Sequence, residues 1–93
     1  MCEPTLDSVS LTASIGGRTA KLTKREFAVL GMLERARGET VPHATLLSVW
    51  GEHAPMPNLR VAIRGLRHKL ERDPELPALI LSDPGRGYRL ARG

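Results

Sequence analysis

Cysteine is nearly absent: Cys2 is the only one in 93 residues, so no internal disulfide can form and a reducing compartment is the simplest setting. Aromatics are as scarce, with Phe27, Trp50 and Tyr88 the full set. Three rings without interleaving on strands argue against a base-stacking platform for single-stranded nucleic acid. Long apolar runs are missing too. Ala78-Leu79-Ile80-Leu81 is typical of the longest, far short of the ~20 residues that cross a bilayer. The first fifteen residues show neither the basic start nor the apolar block of a secretory signal, so the expected location is the cytoplasm, away from any membrane.

Catalytic groupings are equally thin. His43, His53 and His68 fall on different elements, which leaves no zinc-ligand spacing. Nothing places a serine or cysteine beside a base. Gly85-Arg86-Gly87 lacks the lysine and the following helix of a phosphate-binding loop. The sequence therefore predicts no enzyme, no metal and no cofactor.

What remains is an ordinary globular composition, 41% hydrophobic and 26% charged, on a chain long enough for one domain spanning 1–93. Its charge is segregated. Residues 1–59 hold six basic and six acidic side chains, whereas 60–93 hold eight basic against four acidic, so the whole net charge of +4 sits in the last third. Concentrated positive charge attracts a polyanion, nucleic acid first among them.

Val9, Leu11, Ala13 and Ile15 alternate with Ser10, Thr12 and Ser14, the period of a half-buried strand. Gly16-Gly17 suits a tight turn, and Arg18 to Leu22 returns as a partner strand, giving an N-terminal sheet over about 5–22. Thr23 and Glu26 have capping-box spacing before a helix over about 24–37, in which Phe27, Leu30 and Leu33 form an apolar stripe that Gly38 ends. A short helix follows over about 43–51, with Pro42 at its start and Leu46, Leu47 and Trp50 on its apolar side. Glu52 to Pro57 reads as a loop, and Asn58 as the N-cap of a third helix over about 58–72. A hairpin over about 79–91 closes the chain around Asp83-Pro84-Gly85-Arg86-Gly87.

The third helix is two-faced. Leu59, Ala62, Ile63, Leu66 and Leu70 fall on one side, and Arg60, Arg64, Arg67 and His68 within an arc of about 100° on the other. Such a face suits a DNA major groove, about 12 Å wide. The plainer alternative is a solvated surface whose arginines pair with Glu71, Glu26 or Glu34, Glu71 being placed to hold Arg67 or His68. Gly65 is unusual at mid-helix, where glycine costs about 1 kcal/mol against alanine. Either a backbone approaches closely there or the position has drifted, and a smooth patch beside Val61 suits the groove floor.

Four motifs in order resemble the OmpR/PhoB-type winged helix-turn-helix domain, the output domain of response regulators in two-component systems. They are Leu22-Thr23-x-x-Glu26-Phe27-x-x-Leu30, Leu46-Leu47-x-x-Trp50-Gly51, Val61-x-Ile63-Arg64-x-Leu66-Arg67-x-Lys69-Leu70 and Gly85-x-Gly87-Tyr88-Arg89-Leu90. The resemblance covers nearly the whole chain and implies an α+β fold: a small antiparallel N-terminal sheet, three helices and a C-terminal β-hairpin wing. It implies sequence-specific binding of double-stranded DNA by a bacterial transcription regulator, with the third helix in the major groove and the wing on the minor groove. The helical wheel and the resemblance together give the expected DNA-binding residues as Trp50, Asn58, Arg60, Val61, Arg64, Arg67, His68, Ser82 and Arg86, the resemblance itself carrying Trp50, Arg64, Arg67 and Ser82. The resemblance also implies head-to-tail pairing on direct repeats, and a loop carrying Glu52, His53 and Met56 that touches RNA polymerase.

Several positions depart from that pattern. Gly65 stands where a base-reading basic residue is common, Pro84 where the wing often has arginine, Arg60 for an acidic residue, Ala62 for histidine, and Pro42 for a small polar cap. The losses at Gly65 and Pro84 are what an alternative would exploit: a winged-helix protein-interaction module that binds polymerase or a regulatory partner and holds DNA only weakly. Ninety-three residues also leave no room for a receiver domain beside the output domain.

Overall fold

Residues 4–91 are described by the structure, a computed structural model, so Cys2 lies outside them. The chain begins with an antiparallel sheet in the order β1 (Thr5–Asp7), β2 (Thr12–Ile15) and β3 (Arg18–Lys21). The alternation that starts at Val9 becomes strand only from Thr12. Upstream, Asp7 Oδ1 accepts the amides of Val9 at 2.9 Å and Ser10 at 3.4 Å, and Leu11 turns at φ 56°. This Asx-type turn leaves Val9 94% exposed and frees Leu6 to pair with Ala13.

Helix α1 (Lys24–Arg35) starts on a complete capping box: the Thr23 hydroxyl accepts the Glu26 amide at 3.1 Å while the Glu26 carboxylate accepts the Thr23 amide at 2.9 Å. Val29, Leu30 and Leu33 are fully buried on its inner side. It stops two residues short of Arg37, because Arg37 and Gly38 both take positive φ, 50° and 90°. Phe27 is half-buried against the core and Tyr88 is buried within it.

Strand β4 (Val41–Pro42) leads directly into α2 (His43–Leu47), and the expected helix over 43–51 is divided. Its second part, Ser48–Trp50, is a 3-10 turn closed by Gly51 at φ 99°. Pro42 offers no side-chain cap to α2; instead the His43 amide reaches Arg86 O at 3.0 Å. Helix α3 (Met56–Leu70) begins two residues before Asn58, capped by Pro55 with Pro57 in its first turn. First-turn amides have no helical acceptor, so a proline there removes nothing the helix uses. Asn58 is therefore a first-turn residue and not the cap.

The wing is β5 (Ile80–Asp83) and β6 (Gly87–Leu90), with β4 paired to the far edge of β6 in a sheet of order β4-β6-β5. That third strand, only two residues long, is held by the pairings Val41 to Tyr88 and Pro42 to Gly87. Gly87 makes the pairing possible, since a Cβ at that position would lie 1.8 Å from Val41 O. Leu46 of α2, Leu59, Ile63 and Leu66 of α3, and Ile80 of β5 join the buried α1 residues in one core. Each such side chain contributes about 1.5–3 kcal/mol on burial.

Candidate nucleic-acid interface

Helix α3 buries Leu59, Ala62, Ile63, Leu66 and Leu70, which fixes its rotation and turns Arg60, Val61, Arg64 and His68 into solvent. Val61 is 69% exposed, a large apolar side chain amid cations. Among the described residues no carboxylate lies within ion-pair distance of Arg60, Arg64 or His68; the ion pairs found are Lys69 with Glu26 at 2.6 Å and Arg86 with Asp83 at 3.8 Å. Two of the carboxylates that the sequence offers as partners are engaged with other groups: Glu26 with Lys69, and Glu71 with backbone amides. Glu71 is 4% exposed and takes the amides of Ala78, Leu79 and Ile80 at 2.7–3.1 Å, so it does not hold Arg67 or His68. It can do so because α3 ends at Leu70 and Glu71 is extended, at ψ 143°.

Arg67 is turned toward the wing. Its Nε and Nη2 donate to Ile80 O at 3.3 and 3.0 Å, Nη2 also donates to Ser82 Oγ at 3.1 Å, and the guanidinium lies 5.8 Å from the Tyr88 ring centroid. Two of its three nitrogens are thus engaged inside the domain. At the wing tip Arg86 has a side chain 76% exposed and only a loose contact to Asp83. Asp83 in turn accepts the Thr40 hydroxyl at 2.8 Å, which ties the wing to the start of β4. A shallow depression joins these parts, lined by Arg60, Arg64, Arg67 and His68 together with Tyr88, Asp73 and Glu75.

Gly65 faces α1. A Cβ there would meet Glu26 Oε2 at 2.2 Å, and Glu26 cannot easily yield because it caps α1 and pairs with Lys69. The glycine therefore serves helix packing, not a groove floor. Trp50 is half-buried in the 3-10 turn, and the Arg25 guanidinium lies 5.9 Å from its ring centroid. Arg25 shares a crevice with Trp50, Asn58 and Val61, a proximity that charge counting along the chain assigned to a neutral segment. Glu52 and His53 are exposed in the loop before α3, His53 at φ 61°. Met56 does not belong to that loop: it opens α3 and packs against the core. Among the described residues no helix is long and apolar enough to cross a membrane.

Comparison with known proteins agrees with this geometry. Residues 17–90 match the family described as "Transcriptional regulatory protein, C terminal". The chain is 36% identical over 97 residues to the transcriptional regulatory protein KdpE of Mycobacterium tuberculosis, covering 94% of this chain and 43% of that protein. It thus spans less than half the length of the curated relatives it matches. The response regulator DrrB of Thermotoga maritima, an OmpR/PhoB homologue, superposes with a TM-score of 0.83 at 27% identity, over 98% of this chain and 42% of that one. The DNA-binding domain of Klebsiella pneumoniae RstA, solved in complex with the RstA box, superposes with a TM-score of 0.78 at 26% identity, over 96% of this chain and 91% of that one. With three helices, a C-terminal wing and a family match over most of its length, the chain belongs to the C-terminal domains of transcriptional regulatory proteins, winged helices of the OmpR/PhoB DNA-binding type.

Proposed function

We propose that the domain binds double-stranded DNA for a bacterial transcription regulator, with α3 in the major groove and the wing turn on the adjoining minor groove. One observation carries this reading: Arg60, Arg64 and His68 project from one exposed side of α3 with no carboxylate in ion-pair range among the described residues. Arg60 and Arg64 supply charge to phosphates, and Val61 offers an apolar contact for a thymine methyl. Asn58, in the first turn, has the donor and acceptor pair that reads adenine. Arg86 reaches a minor groove, whose negative potential favours arginine. Ser82, Arg67 and the Trp50 indole N–H add phosphate contacts around the rim. Glu52 and His53 stand where RNA polymerase would meet the loop, and pairs of domains bind head to tail on direct repeats. Such a function places the protein in the cytoplasm.

The test is selection from a random duplex pool by the purified domain at moderate salt, with Arg64→Ala in parallel. A repeated motif enriched by the wild type, and bound more weakly by the variant, supports the reading. Each phosphate contact contributes about 0.9 to the slope of log affinity against log salt, so Arg64→Ala should lower that slope. No enrichment, with binding indifferent to salt and to the variant, would reassign the domain to protein interaction.

A further inference from the structure

Lys24 and Arg25 occupy the first two positions of α1, where the helix dipole presents partial positive charge. Cations are mildly unfavourable there, so the helix dipole gives Arg25 no reason to be basic. No carboxylate compensates it: among the described residues no acidic group lies within ion-pair distance, and the adjacent Glu26 is buried against Thr23 and Lys69. Arg25 is exposed, yet its guanidinium is held over the Trp50 indole, 5.9 Å from the ring centroid. That stack joins the start of α1 to the turn after α2.

Its position relative to α3 gives the stack a use. The crevice it borders is walled by Asn58 and Val61, whereas the depression on the wing side contains Arg67 and Tyr88. At 100° per residue, Asn58 and Arg67 lie about 180° apart around the helix, with Arg64 between them. A duplex straddling α3 presents one phosphate strand along each border of its major groove. The wing side has Arg67, Ser82 and Arg86 for one strand. Arg25 is a cation bordering the other flank.

We infer that Arg25, pre-positioned by Trp50, grips the phosphate backbone on the flank of α3 opposite the wing. The inference rests on the DNA-binding reading above and adds a second, separate hold on the duplex. A planar guanidinium already drawn over the indole ring loses less freedom on meeting a phosphate than a free lysine would.

The experiment measures equilibrium binding of the whole chain to the selected duplex across a salt series, for wild type, Arg25→Ala, Arg25→Lys and Arg64→Ala. Arg25→Ala should bind roughly three- to tenfold more weakly at about 0.1 M salt, with a slope lower by about 0.9. Its enriched motif should be unchanged, because phosphate contacts carry no base information. Its stability should stay within about 0.5 kcal/mol of wild type, since the relief of a cation at the helix N-terminus offsets the lost contact with Trp50. Arg25→Lys should keep the slope. Wild-type affinity and slope in Arg25→Ala, while Arg64→Ala loses both, would overturn the Arg25 assignment alone. So would an altered motif in Arg25→Ala, or a slope in Arg25→Lys as low as in Arg25→Ala. Wild-type behaviour in both alanine variants would overturn the assignment of this side of α3 to DNA, and absence of any enriched duplex would overturn the DNA reading itself.

Discussion

Replacing Glu71 by alanine should be among the most damaging single changes in this domain, although a sequence reader would place it on the surface. Its carboxylate is the acceptor for three consecutive amides at the start of β5: Ala78 at 2.9 Å, Leu79 at 3.0 and 3.1 Å, and Ile80 at 2.7 Å. Ala78 is exposed, so water can replace the carboxylate there. Leu79 and Ile80 are 6% and 0% exposed, and their amides would be left buried without acceptors. Each such orphan costs about 1–3 kcal/mol. Removing the carboxylate also removes the cost of keeping it from water, which offsets part of the loss. A net loss of about 3 kcal/mol is expected, against a total stability of roughly 5–14 kcal/mol for a domain of this size. At about 4–8 °C per kcal/mol, the thermal midpoint should fall by roughly 12–24 °C. Glu71→Gln keeps one acceptor oxygen but turns an amine toward the remaining donors, so it should lose about 1–2 kcal/mol. Glu75→Ala, on the exposed loop, serves as the control and should stay within about 0.5 kcal/mol. Urea unfolding followed by the fluorescence of the single tryptophan, Trp50, measures all three. A loss below about 1 kcal/mol in Glu71→Ala, or a larger loss in Glu71→Gln, would refute the reasoning.

Gly87→Ala should separate β4 from β6, because its Cβ would fall 1.8 Å from Val41 O, and the backbone on both sides is fixed by pairing. Overpacking of this kind costs about 1–3 kcal/mol, and amide exchange at Val41 and Tyr88 should accelerate with it; wild-type stability and protection would contradict the close approach. Asp7 gives a pH-dependent signal. The amides of Val9 and then Ser10, helped by the Ser10 hydroxyl, hold its carboxyl below the ordinary value of 3.8. Because the folded value is depressed, the support the carboxylate gives its turn is complete above the unfolded value and disappears as pH falls through the lowered one. A nuclear magnetic resonance titration of the Asp7 carboxyl should give a midpoint under 3.8, and a midpoint at or above it would remove the turn from the account.

The helices were legible in the sequence because their signals are periodic and local. Thr23 and Glu26 mark the start of α1, and the spacing of Leu59, Ile63, Leu66 and Leu70 fixes the inward side of α3. The hidden parts depend on distant partners. Strand β4 has two residues, too few for any alternation, and exists because β6 supplies its hydrogen bonds. Val9 satisfies the strand pattern, but an Asp7 oxygen bends the chain before pairing can begin. Prolines at 55 and 57 look like loop, yet the first turn of a helix tolerates them. In the candidate site, the row Arg60, Arg64 and His68 follows from the wheel, whereas Arg25 is 35 residues before Arg60 in sequence and borders the same helix beside Trp50. Glu71 escapes the wheel for a simple reason: the wheel assumes that the helix continues, and it ends one residue earlier.

The bonds from Arg67 to Ile80 O and Ser82 Oγ have a consequence for how sites are chosen. They fasten the base of the wing to the last turn of α3, so that in the proposed DNA complex the helix and the wing act as the fixed jaws of a caliper. With the span between them set by the protein, the duplex must supply any adjustment in groove width or bend. Sequences that deform cheaply to that span gain affinity, and stiff ones lose it, at base pairs that no side chain touches. Loosening the caliper, as Arg67→Ala would, should therefore broaden the range of accepted DNA even where every base-reading residue is intact.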